Sequence, residues 1–126
     1  MDVPDGLRYT AEHEWLAVGE DGTVRLGITD YAQDALGDVV FVQLPVVGLV
    51  VEPGAILAEV ESTKSVAEVY APVAGTVSGI NSELTDRPEL VNQSPYEGGW
   101  FAELKVADPD ALQGLLDADA YRSLIG

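Results

Sequence analysis

Short bursts of alternating apolar and polar residues, interrupted every few positions by glycine or proline, dominate the chain. Glu14-Trp15-Leu16-Ala17-Val18 and Thr23-Val24-Arg25-Leu26-Gly27-Ile28 flank an acidic, glycine-containing loop and predict a hairpin. Thr29 offers an N-cap hydroxyl to a short helix over Asp30 to Leu36, with Asp30 in its first turn and Gly37 as its stop. Val39-Val40-Phe41-Val42 and Ile56 to Glu61 are rich in β-branched and aromatic residues, with Pro45, Gly48, Pro53 and Gly54 between them as turn formers. Ala67 to Ile80 continues the pattern, broken at Pro72 and Gly75, and Trp100 to Val106 alternates again. Many short strands with regular breaks predict a mainly β sandwich or barrel in place of βαβ units.

The tail changes period. Asp108 is a good N-cap with Pro109 at the first helical position, and Leu112, Leu115 and Leu116 follow at helical spacing. Asp117 caps a second short helix carrying Tyr121, Leu124 and Ile125. Gly114 weakens the first helix by about 1 kcal/mol relative to alanine. Both helices are therefore expected to depend on packing, as a helical cover over about 108–125 at an open sheet end. The 126 residues are the length of one domain spanning 1–126.

One segment is more symmetric than a sandwich requires. Gly54 lies ten residues before Lys64 and Gly75 eleven after it, each in a proline-containing break. Pairing Val60 with Ala67 sets Ala58 against Val69 and Ile56 against Ala71, which makes one face wholly apolar. The other face then holds Leu57 with Tyr70, Glu59 with Glu68, and Glu61 with Val66. This register leaves the tip at 62–65, Ser62-Thr63-Lys64-Ser65, a turn without the Gly, Asn, Asp or Pro that tight hairpins usually demand. Lys64 is one of only two lysines, and Lys105 sits in an expected strand. An amine on a small-residue tip is open to a modifying enzyme.

Composition narrows the chemistry. The chain has no cysteine, which excludes disulfides, thiolate metal sites and cysteine nucleophiles, and His13 is its single imidazole. Its flanking Glu12 and Glu14 would face away from His13 in a strand, so a surface histidine is expected there and not a metal cluster. Six basic residues against 22 acidic give a net charge of −16, the wrong sign for nucleic acid or an anionic membrane. The amino-terminal residues lack a signal sequence, so a cytoplasmic location is expected, and a monomer is expected separately. Asn92-Gln93-Ser94 is a formal glycosylation sequon, without a secretion signal and followed by Pro95. Asp108/Asp110 and Asp117/Asp119 fit helix capping better than a calcium loop.

Glu61-Ser62-Thr63-Lys64-Ser65, with glycines at those offsets, resembles the lipoylation hairpin of the glycine cleavage system H protein family. Glu12-His13-Glu14-Trp15, Gly27 to Gln33, Leu36 to Pro45, Tyr70-Ala71-Pro72, Pro88 to Asn92, Ser94-Pro95-Tyr96 with Gly99-Trp100, and Leu116-Asp117-Ala118 with Tyr121 match it in order. The resemblance runs from about Leu7 to Leu124. It implies a barrel-sandwich hybrid of the lipoyl/biotinyl-domain kind with short helices, and lipoic acid in amide linkage on Lys64. It implies a carrier and not an enzyme, moving the aminomethyl group of glycine from a pyridoxal-phosphate-dependent decarboxylating glycine dehydrogenase to a tetrahydrofolate-dependent aminomethyltransferase. Dihydrolipoyl dehydrogenase, and a lipoate ligase or an octanoyl/lipoyl transferase, are the further partners implied. Glu14 and Glu68 match the acidic cleft in which the loaded arm rests in the family, and Glu12 is a third cleft candidate, at a position where small hydroxyl residues also occur. Ala35 stands where some members carry histidine. The alternatives are an H-like protein that relays lipoate, a biotin carrier, disfavoured because no methionine flanks Lys64, or a β-sandwich adaptor.

Overall fold

Strand pairing is antiparallel throughout and sorts nine strands into two sheets among the residues described, 1–19 and 21–126 of a computed structural model. The larger sheet has the order β1-β2-β3-β9-β8-β5, built from Arg8–Tyr9, Glu14–Val18, Thr23–Ile28, Ala102–Val106, Gly75–Ile80 and Val50–Val51. The smaller has the order β4-β6-β7, from Val39–Gln43, Ile56–Ser62 and Val66–Tyr70. Alternation puts Leu26, Leu104 and Val77 of the first sheet and Val42, Val60 and Val69 of the second into one buried cluster. The two sheets thus face each other across a shared core. The barrel-sandwich expectation is met in layered form, with both sheets open at their edges.

The first hairpin pairs Leu16 with Leu26 and Val18 with Val24. Helix α1, Asp30–Leu36, starts where expected: the Thr29 hydroxyl accepts from the Ala32 amide, and Gly37 ends it. Helices α2, Glu83–Asp86, and α3, Leu90–Gln93, are single turns that bury Leu84, Leu90 and Val91.

In the tail, the Asp108 and Asp117 carboxylates cap as expected, on the amides of Asp110 and Ala120. The first segment, Pro109–Gly114, is a 3-10 turn instead of an α-helix. Leu112 is buried in the main core; Leu115 follows in extended backbone and packs partly buried against that core, and Leu116 exchanges both backbone hydrogen bonds with Tyr9. Helix α4, Ala118–Ile125, closes a second cluster in which Tyr121 stacks on Tyr9 at 4.7 Å beside Trp15 and Val3. The cover therefore seals the β1 edge of the large sheet.

Two expectations need correction. His13 is neither in a strand nor free on the surface. It takes a left-handed φ of 68° just before β2, lies against the Tyr31 ring at 4.6 Å, and has its Nδ1 2.8 Å from the Tyr121 hydroxyl. The central hairpin holds the expected register from Glu61 with Val66 through Ala58 with Val69, then shifts, so that Ile56 pairs with Tyr70 instead of Ala71. Leu57 consequently turns inward to 3% exposure and Ile56 outward to 52%. One irregular residue exchanges the two sides of the strand.

Candidate functional site

The tip between β6 and β7 keeps regular backbone without glycine. None of its four residues has a positive φ. The Ser62 amide donates to the Ser65 carbonyl at 2.8 Å. The buried Ser62 hydroxyl accepts from the Lys64 and Ser65 amides at 3.3 and 3.1 Å. A serine hydroxyl thus does the work that a side-chain carboxylate or amide does in an Asx turn. Thr63, Lys64 and Ser65 stay exposed.

A second contact fixes the tip from outside the hairpin. The Thr63 amide donates to the Asp38 carbonyl at 3.1 Å, in the connection between α1 and β4. The Lys64 arm lies across Gly37, where an added Cβ would sit 3.3 Å from Lys64 Cε. Gly37 has φ 82° and ψ −160°, a region essentially restricted to glycine. The ion pairs among the described residues use Arg25, Arg87 and Arg122, so the Lys64 ammonium is in none of them.

Further along the hairpin, a cavity of about 670 Å³ opens between β7, the start of β2 and the tail, lined by Glu12, Glu14, Tyr70, Pro72, Leu115 and Leu116 among others. Glu14 forms its polar end. It is 2% exposed, and its Oε2 accepts from the Tyr70 amide at 2.7 Å while Oε1 accepts from the Thr10 hydroxyl at 3.0 Å. Strand β7 edges its sheet, so Glu14 occupies an amide that would otherwise lack a strand partner, and ties one sheet to the other. Burial pushes the Glu14 carboxyl up from its ordinary value to about 7, with the Glu12 charge adding slightly and the two hydrogen bonds opposing. Its proton is therefore held more tightly than that of an ordinary carboxyl.

The three expected acids are not equivalent. Glu14 and Glu12 share the cavity, Glu14 buried and Glu12 exposed at its rim. Glu68 is exposed on β7 opposite Glu59 and does not line the cavity. It does share a strand face with Tyr70, two residues on, and so lies between the tip and the cavity. Ala35 is exposed on α1. Sequence reading passes over Thr10 and takes Gly37 only as a helix stop, because nothing in their spacing announces a contact with Glu14 or Lys64.

Two facing antiparallel sheets, one of them presenting an exposed lysine on a projecting hairpin, define a lipoyl-domain-like carrier fold. Comparison with known proteins agrees. The sequence profile described as glycine cleavage H-protein matches residues 7–126. A glycine cleavage system H protein from Micrococcus luteus is 60% identical over 122 residues, covering 96% of this chain and 95% of that one. Its counterpart from Mycobacterium tuberculosis is 55% identical over 130 residues, covering 98% and 97%. The crystal structure of a glycine cleavage system H protein from Mycobacterium marinum superposes with a TM-score of 0.89 at 42% identity, covering 98% of this chain and 99% of that one. The chain belongs to the glycine cleavage H-protein family.

Proposed function

We propose that Lys64 is the attachment point of lipoic acid, in amide linkage, and that the chain carries the aminomethyl unit of glycine from the decarboxylating glycine dehydrogenase to the aminomethyltransferase. When bound, the lipoyl group supplies the disulfide redox chemistry that a cysteine-free chain lacks. The residues around it suit such a group. Tyr70, Pro72, Leu115 and Leu116 offer apolar surface to the arm, and Glu14 offers a buried carboxylate to a cationic cargo. A cation beside Glu14 would draw its carboxyl back toward the ionised form, and Glu68 extends the acidic route from the tip. The protein is then the shared substrate of its partner enzymes and not a catalyst, with tethering replacing diffusion of a free unit. Dihydrolipoyl dehydrogenase would reoxidise the arm, and a lipoate ligase or octanoyl/lipoyl transferase would install it.

The observation that carries this reading is Lys64 itself, exposed and outside any described ion pair on a tip held by Ser62 and Asp38. Peptide mapping and intact mass of protein expressed in a lipoate-sufficient host should place the modification on Lys64. Lys64→Arg should abolish both the added mass and glycine-dependent bicarbonate exchange in the reconstituted system. An unmodified Lys64 in such a host, or full activity in the arginine variant, would overturn the proposal.

A further inference from the structure

The connection from α1 to β4 that receives the tip is itself held by one side chain. Asn92, in α3 and 53 positions away, accepts from the Val39 amide through its Oδ1 at 2.8 Å. Its Nδ2 donates to the Gly37 carbonyl at 2.9 Å and to Gln33 Oε1 at 3.0 Å. Gln33 is fixed in turn by donating to Asp30 Oδ1 at 2.7 Å. The amide of Asn92 has one acceptor and two donor hydrogens, and all are engaged. It reads the backbone on both sides of Asp38 as a neighbouring peptide group would, and leaves the Asp38 carbonyl to take the Thr63 amide. Gly37, clamped by the same amide, is the residue over which the Lys64 arm lies.

From this relay, we propose that Asn92 is a positioning residue for the Lys64 arm: it fixes residues 37–39 so that one backbone carbonyl and one glycine surface set the height and direction of the tip. The role rests on Lys64 being the carrier lysine, and it acts without contact to Lys64. Connections of this kind bend readily, since Gly37 takes a conformation with little intrinsic preference. Without the Asn92 clamp, the Gly37 carbonyl and Val39 amide turn to water, and the Thr63 to Asp38 bond loses its fixed acceptor. A partner enzyme then has to order the tip as it binds, a cost that falls on association and not on chemistry.

Two variants test this, Asn92→Ala and Asn92→Asp, the second preserving shape and the acceptor for Val39 while removing both donors. On the unmodified chain, amide hydrogen exchange by NMR should speed about tenfold at Thr63 in both, with Val60 in the same hairpin unchanged. On lipoylated chain used as the varied substrate of the decarboxylating enzyme, KM for the carrier should rise about fivefold, as loss of one net hydrogen bond would give, with kcat within about twofold. Unchanged exchange at Thr63 overturns the proposal, as does a rise at Thr63 and Val60 together that follows the fall in melting temperature. A fall in kcat at constant KM overturns it as well. The exchange arm needs no lipoyl group, so a lysine that proves unmodified is seen by mass and is distinguishable from failure of the Asn92 clamp.

Discussion

At the scale of one side chain, Glu14 is the acid proposed to receive the cationic cargo, and its titration makes its burial measurable. Its carboxyl is raised to about 7 in the folded chain, chiefly by burial, while the unfolded chain titrates near the ordinary value of 4.5. Between those values the folded state holds the proton that the unfolded state has lost. This group's contribution is therefore fully present below about pH 4.5 and is lost as pH rises through about 7. Glu14→Gln, which keeps the shape and stays neutral, should flatten that part of the stability profile. At pH 8 it should be more stable than the parent by on the order of 2 kcal/mol, against little difference at pH 4.5. Urea unfolding at the two pH values measures it; equal differences at both would mean that Glu14 is not held neutral by burial. The same variant should lose the capacity to settle a cationic cargo, so a more stable fold would come with a shorter-lived loaded form.

At the scale of elements, the hairpin shows which local rules the sequence obeys openly. Ser62→Ala should lower stability by about 1 kcal/mol, the usual effect of losing a capping hydroxyl, and should loosen the tip without unpairing Val60 from Ala67. Tryptic cleavage after Lys64 in unmodified protein reports it: cutting at that bond should speed by more than the about 1 kcal/mol loss of global stability accounts for, and an unchanged cutting rate would remove Ser62 from the account. The capped helices, the first hairpin and the register near the tip were legible because each follows from neighbours in sequence. Thr29, Asp108 and Asp117 sit beside the amides they cap, and Val60 with Ala67 lies close to the turn. The shift at Ile56 was not, because Ile56 and Leu57 are both apolar and the pattern fits either side. The turn does without Gly, Asn, Asp or Pro because the Ser62 hydroxyl stabilises a tip in which no residue needs a positive φ. His13, Thr10 and Asn92 act through contacts that include partners on distant elements, Tyr121, the Glu14 to Tyr70 tie and the Gly37 connection, which no local spacing encodes.

For the molecule as a whole, the charge of −16 and the distribution of apolar surface have separate consequences. Between Val39 and Ile80 the only basic residue is Lys64, against Glu52, Glu59, Glu61 and Glu68, and amide formation on Lys64 would remove that one positive charge. The exposed side of β4, β6 and β7 interleaves Glu59, Glu61 and Glu68 with Phe41, Ile56 and Val66, each of these three apolar residues about half exposed or more. Charges act over a Debye length of about 8 Å at physiological salt and govern encounter; apolar contacts act only on touching and govern how long a complex lasts. A carrier that visits several enzymes in turn benefits from the first being strong and the second modest. Raising sodium chloride from about 50 to 500 mM should therefore slow association of the lipoylated chain with each partner enzyme about tenfold, while dissociation changes less than about threefold. Stopped-flow association and dissociation measured separately decide this. A salt-independent association rate would assign recognition to the apolar face, and leave the acidic surface a role in solubility alone.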